Sequence, residues 1–273
     1  MSPTHTECRN LVMNYEQTIA YLYNSQPVFH LQGAEAYKPG LDKIRELMHH
    51  LGNPQQEYLT VHIGGTNGKG STSSLIAASL QSQGYKTGLY TSPHLIDFRE
   101  RIRVNGKMIT KQGVVNFVSK NKELLEGLKP TFFETATAMA LLWFQEQKVD
   151  IAVIEVGLGG LLDSTNIISP ELSVITNIGF DHTQFLGSTL PQIAAQKAGI
   201  IKEGVPVVIG EHQAQTDIVF LRVAKEHNTA ICFAEDRYDD SNSLANKFGK
   251  RKFDNLTANY QQKNITTALA AIE

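Results

Sequence analysis

The apolar run Tyr58-Leu59-Thr60-Val61-His62-Ile63 passes without a break into Gly64-Gly65-Thr66-Asn67-Gly68-Lys69-Gly70-Ser71. Helical spacing then holds from Ser71 to about Gln83, and Gly84 supplies a stop. Strand, glycine turn and helix in that order leave few folds open. Glycines let consecutive N–H groups point into one concavity, and the helix N-terminus adds partial positive charge. Lys69 is placed to reach a phosphate as a point charge. Residues Gly65, Thr66, Asn67, Gly68, Lys69, Gly70 and Ser71 therefore read as a phosphate-binding loop. The loop departs from the strict GxxxxGK[ST] pattern: Ile63 stands at the first glycine position, and Gly70 separates Lys69 from Ser71. A glycine-rich turn with a solvated lysine is the plainer alternative.

The rest of the chain repeats the alternation. Residues 11–52 read as helical, on apolar spacing in Tyr15–Leu22 and Leu41–Met48. Strands are expected at Thr87–Tyr90, Ile151–Val156, Leu172–Asn177, Val205–Ile209 and Ala230–Phe233. Helices are expected at Thr131–Gln147, Leu190–Lys202 and Asp217–Glu226. Near-continuous apolar strands separated by helices predict an α/β fold, a doubly wound and mainly parallel sheet. From Glu235 the chain turns polar, as a surface excursion or a boundary. Lys263–Glu273 reads as a helix under way or one that frays into solvent.

Composition excludes several classes. Lys and Arg number 25 against 27 Asp and Glu, a net charge of −2, so nothing argues for a nucleic-acid or membrane surface. The N-terminus lacks an apolar signal region, and no apolar run approaches the ~20 residues of a membrane span. Cys8 and Cys232 form no framework, which favours a reducing cytoplasm.

Further segments carry a resemblance. Besides GTNGKGS they are Thr91-Ser92-Pro93-His94-Leu95, Phe98-Arg99-Glu100-Arg101-Ile102-Arg103-Val104-Asn105-Gly106 and Phe133-Glu134-Thr135-Ala136-Thr137-Ala138-Met139-Ala140. Glu155-Val156-Gly157-Leu158-Gly159-Gly160 with Asp163-Ser164-Thr165-Asn166, Asn177-Ile178-Gly179-Phe180-Asp181-His182, Lys197-Ala198-Gly199-Ile200-Ile201-Lys202 and Tyr260-Gln261-Gln262-Lys263-Asn264 follow in order. Together they resemble the folate branch of the Mur ligase superfamily, the folylpolyglutamate and dihydrofolate synthases. The resemblance implies that residues 1–273 are an N-terminal ATP-binding domain, with 1–14 a flexible extension and a glutamate-ligase domain following. It implies an ATP-dependent ligase, acting as a monomer, that adds L-glutamate to dihydropteroate or tetrahydrofolate through an acyl phosphate. A muramyl-peptide ligase and a non-catalytic nucleotide-binding fragment are the alternatives. Gly70 and the Phe133/Asp163 pair argue against the first.

Residue chemistry adds to this. Glu155 ends an apolar strand, where open α/β sheets bind ligands, and a carboxylate there suits Mg²⁺. Taken alone, it could be an ordinary surface carboxylate. His182 taken alone reads as structural, since imidazole is a poor Mg²⁺ ligand. The resemblance implies that Ser92, Glu155 and His182 hold two Mg²⁺ ions and that Lys69, Lys197 and His182 are catalytic. It also implies that Asn264 contacts adenine, and that Phe133 and Asp163 contact the pterin. Phe133 could equally be core packing. Lys197 lies among apolar neighbours, so it reads as a snorkelling lysine or, by the resemblance, as one carrying a carbamate. Leu161 and Gln196 depart from the family, which usually has Arg and Glu there.

Overall fold

The computed structural model describes residues 13–25, 40–238 and 258–273. Most of the extension read at 1–14, Cys8, and the polar stretch 239–257 lie outside the described residues. Helix α1 spans Tyr15–Ser25, capped by Asn14 Oδ1 on Gln17 N at 2.8 Å, and α2 spans Asp42–His50. The sheet begins with β1 (Leu59–Gly64), followed by α3 (Lys69–Ser82) and β2 (Thr87–Tyr90). A 3-10 turn (Phe98–Arg101) leads into a hairpin, β3 (Ile102–Val104) and β4 (Lys107–Met108). Helices α4 (Lys111–Leu128) and α5 (Phe132–Glu146) precede β5 (Ile151–Glu155) and β6 (Leu172–Ile175). The short α6 (Thr183–Leu186) and α7 (Leu190–Ala198) come next, then β7 (Val207–Ile209), α8 (Ala214–Glu226) and β8 (Ile231–Phe233). The turn α9 (Ala234–Arg237) and α10 (Asn259–Ile272) complete the described elements.

The sheet has eight strands in the order β4-β3-β2-β5-β1-β6-β7-β8. All pairings are parallel except those of the β3–β4 hairpin at one edge. Alternate residues point to opposite faces, and both faces are covered, as the doubly wound expectation requires. Val61, Ile63, Val153, Val174 and Val208 pack with Ile76 of α3 and Ala268 of α10. On the other face, Tyr90, Ala152 and Ile154 pack with α5, and Ile175, Val207 and Ile209 pack with α7 and α8. The carboxyl ends of β1, β2, β5 and β6 converge where β1 lies between β5 and β6, the position at which such sheets bind ligands.

Several boundaries differ from the sequence expectations. Helix α3 begins at Lys69, two residues before Ser71, because Gly68 caps it in the left-handed conformation at φ 80°. Helix α7 ends at Ala198 rather than Lys202. There the chain tightens into i→i+3 bonds such as Ile201 N to Ala198 O, 2.9 Å. The cause is close packing: a Cβ on Gly199 would lie 2.4 Å from the Cα of Leu161. Helix α4 and the β3–β4 hairpin have no counterpart in the sequence reading. Helix α10 does not fray, since Ile265, Thr267 and Ala268 are buried.

Candidate functional site

Gly65 and Gly68 both have positive φ, and each is also closely covered. A Cβ on Gly65 would meet Thr176 Oγ1 at 1.9 Å, and one on Gly68 would meet Asn264 Oδ1 at 2.0 Å. No other residue fits at either position. The loop is laced to the segment after β6. Thr66 N donates to Asn177 O (2.9 Å), Asn67 N donates to Asn177 Oδ1 (2.9 Å), and Thr176 Oγ1 donates to Asn67 O (2.6 Å). Thr66 Oγ1 accepts from Gly179 N at 2.9 Å. Ser71 sits in the first turn of α3, half-buried.

Two lysines converge on one carbonyl. Lys69 Nζ donates to Gly65 O (3.2 Å) and Thr66 O (3.0 Å), and Lys197 Nζ donates to Gly65 O at 2.7 Å. Lys197 is 4% exposed. Burial, with the charge of Lys69 adding to it, pushes its ammonium down to about 7, while Asp181 and Asp163 pull it up. Half of such groups are neutral near pH 7.

Glu155, 3% exposed, ends β5 beside this loop. Burial raises its carboxyl to about 7 against the opposing pull of Lys69, the Ser92 N–H and Arg101. Ser92 N donates to Glu155 Oε2 at 3.1 Å, and no lysine or arginine pairs with the carboxylate among the described residues. A Cβ placed on Gly70 would lie 3.5 Å from Glu155 Oε2, so the glycine leaves the carboxylate uncovered. A buried carboxylate with no ion pair among the described residues, beside a glycine rather than a side chain, fits a hard divalent cation. His182 caps α6 at φ 47°, and its Nε2 lies 3.5 Å from Asp181 Oδ2. Among the described residues, no cluster of three or more His, Cys, Asp and Glu side chains gathers to hold a metal.

The remaining expected residues flank these. The Phe133 ring is half-buried, 6.1 Å from the Tyr90 ring, and a Cβ on Gly157 would strike its Cζ at 2.4 Å. Asp163 is buried, and its oxygens accept from Leu158 N (2.8 Å), Thr165 N (3.0 Å) and Thr165 Oγ1 (2.5 Å). Burial raises its pKa and these bonds oppose the rise. As folded here, its carboxylate closes the 157–166 loop. Asn264 lies against Gly68, with Nδ2 donating to Gln261 Oε1 at 3.2 Å. Leu161 is exposed, and its N–H donates to the carbonyl of Gln196 at 2.8 Å.

The sequence reading missed His62. It faces away from α3 on the central strand, and its Nε2 lies 2.8 Å from Thr165 Oγ1. The threonine proton goes to Asp163, so His62 donates from Nε2. Complete burial, with Lys202 adding to it, pushes the imidazole down to about 3. A polar residue inside an apolar strand was the available signal. Nothing local marks Thr176 or Asn177 as loop supports.

Residues 63–272 match the family model of the Mur ligase middle domain. The chain belongs to the Mur ligase family. Within that family it is 38% identical over 255 residues to the dihydrofolate synthase/folylpolyglutamate synthase of Bacillus subtilis (strain 168), covering 86% of this chain and 59% of that protein. It is 44% identical over 205 residues to the folylpolyglutamate synthase of Lacticaseibacillus casei, covering 72% of this chain and 46% of that one. A solved Mur ligase relative, E. coli FolC in complex with DHPP and ADP, superposes with a TM-score of 0.73 at 30% identity, covering 81% of this chain and 51% of that one. The chain therefore spans about half the length of the relatives it matches. Among the described residues, no helix of this Mur ligase chain is long and apolar enough to cross a membrane.

Proposed function

We propose that the chain is the nucleotide-binding part of an ATP-dependent ligase that joins L-glutamate to dihydropteroate, to a tetrahydrofolate, or to both. One juxtaposition carries the reading: Glu155, buried and uncovered, faces Gly70 in the first turn after a lysine-bearing phosphate loop. Relatives named dihydrofolate synthase/folylpolyglutamate synthase, and a solved one holding DHPP and ADP, support the substrate class.

In this reading the N–H groups of Gly65 to Ser71 take the nucleotide phosphates, and Lys69 exchanges its two carbonyl partners for γ-phosphate oxygens. Ser92, Glu155 and His182 would hold Mg²⁺, which supplies charge neutralisation when bound. Glu155 is supported in that role by its burial and by the lack of an ion pair among the described residues, and Ser92 and His182 enter through their place in the family pattern. The γ-phosphoryl group passes to the substrate carboxylate and ADP leaves. The amine of glutamate then attacks the acyl carbon and expels phosphate, giving the amide. Positioning and electrostatic stabilisation carry such transfers. Phe133 offers a face for the pterin, Asp163 holds the loop beside it, and Asn264 lies toward the adenine. The neutral fraction of Lys197 is the form that reacts with CO₂, so a carbamate there belongs to the proposal. So do a cytoplasmic setting and a monomeric state.

Calorimetry with ADP and a non-hydrolysable ATP analogue tests the reading. Uptake should require Mg²⁺ and be lost in Lys69→Ala. A wild-type chain that takes up no nucleotide in the presence of Mg²⁺ overturns it. Phosphate release with dihydropteroate plus glutamate, against a UDP-muramyl substrate, separates the folate branch from a muramyl ligase. Uptake without turnover in a version extended to the relatives' length favours a non-catalytic binding module.

A further inference from the structure

Arg101 forms no ion pair with a carboxylate among the described residues. It is 3% exposed, at the end of the 3-10 turn that leads into β3. Its carbonyl accepts from Thr91 N at 3.0 Å, which fixes it beside Ser92 and so beside the carboxylate end of the site. Its guanidinium carbon lies 5.5 Å from the centre of the Phe132 ring, on which Tyr23 stacks at 4.9 Å. Nε donates to His94 Nδ1 at 2.7 Å, and Tyr23 Oη lies 3.0 Å from His94 Nε2. A ring nitrogen that accepts from a guanidinium carries no proton, so this bond orients Arg101 without adding a counter-charge. Among the described residues it is the guanidinium's one hydrogen bond, and no carboxylate pairs with it, so the other donors of the fork find no partner there. A guanidinium does not deprotonate in proteins, so burial cannot relieve its charge as it does for Lys197. A methionine there would pack as well without the desolvation cost. The charge is felt at Glu155 and at Tyr90, so Arg101 lies between the phosphate-loop end of the site and its aromatic wall.

We propose that Arg101 receives the reacting carboxylate of the acyl substrate on the free end of its fork. The proposal rests on the ligase reading above. A carboxylate nucleophile and a γ-phosphate repel each other, and a fixed cation lowers that barrier to approach. An arginine fork suits a planar two-oxygen anion better than an ammonium does. The same donors remain in reach of the oxygens after the phosphoryl group has been transferred. The sequence shows only one arginine among three in Phe98–Arg103, with no sign of which one is turned inward.

The test compares dihydropteroate with its carboxamide, titrated into the full chain by calorimetry, for wild type, Arg101→Met and Arg101→Lys. Each variant is first checked for a cooperative melt. Wild type should prefer the acid by roughly 10–100-fold, the range of a charge-assisted hydrogen bond. Arg101→Met should bind acid and amide alike, and Arg101→Lys should fall between. If the methionine variant does not fold, a lysine variant with reduced preference supports the assignment and one with the wild-type preference overturns it. A folded methionine variant that keeps the acid preference also overturns it. Equal loss of acid and amide affinity would mark a packing role and overturn it too. A wild-type chain that takes up nucleotide but does not distinguish acid from amide overturns the Arg101 assignment and leaves the ligase reading standing. An Arg101-dependent acid preference without nucleotide uptake does the reverse.

Discussion

His62 and Lys197 are both ionisable and buried, and burial lowers the pKa of each, yet the consequences differ. For His62 the folded pKa of about 3 lies below the ordinary 6.5, so the unfolded chain takes up the proton first. The stability it contributes is complete above about 6.5 and drains away as pH falls toward 3. At pH 5 the loss is about 2 kcal/mol relative to neutral pH. Urea midpoints at pH 5 and 7 should show this loss in wild type and a smaller one in His62→Gln, which keeps a donor for Thr165 but does not titrate. Lys197 behaves likewise at higher pH: its folded value of about 7 lies below 10.5, so stability rises between those values. Lys197→Met should therefore raise stability near pH 7 by about 1–4 kcal/mol, with a smaller gain at pH 10. Under the ligase proposal, the same change should abolish ligation in a version extended to the relatives' length, a trade of stability for function. Residue identities were legible in the sequence. Their protonation was not, because it depends on burial by residues far along the chain.

At the scale of elements, helix starts were legible where a local cap marks them. Thr131 accepts from Glu134 N at 3.2 Å and donates its own N–H to Glu134 Oε2 at 2.6 Å, so α5 starts where the sequence reading put it, within one residue. Thr131→Ala should lower the urea-unfolding free energy by about 1 kcal/mol. Helix α7 was over-extended because its stop is tertiary: Gly199 is pressed onto Leu161, and Asn166 Nδ2 donates to Gly199 O at 3.0 Å. The phosphate loop is the reverse case, an element whose local pattern was plain but whose spatial partner was not. Gly70→Ala tests that partner. The backbone there is ordinary and the added methyl sits at contact distance from Glu155, so the fold should persist. Magnesium-dependent nucleotide affinity should fall about tenfold or more by calorimetry, since 1.4 kcal/mol is tenfold.

For the whole molecule, the question is what closes each face of the sheet. One face depends on α10, whose Ala268 and Ala270 lie against α3 and the central strands. A chain cut before Asn259 should bind a hydrophobic dye and unfold without a sharp transition, measured by fluorescence and calorimetry. By itself the sequence determined the alternation of strands and helices, the glycine turn that carries Lys69, and a carboxylate at the end of β5, because each depends on spacing over a few residues. Only the tertiary structure decided that Lys197 reaches Gly65 across 132 positions, that Thr176 and Asn264 close over the two positive-φ glycines, and that Arg101 is the arginine turned inward. Those outcomes depend on which distant segments exclude water from a charge, and a local pattern carries no record of that.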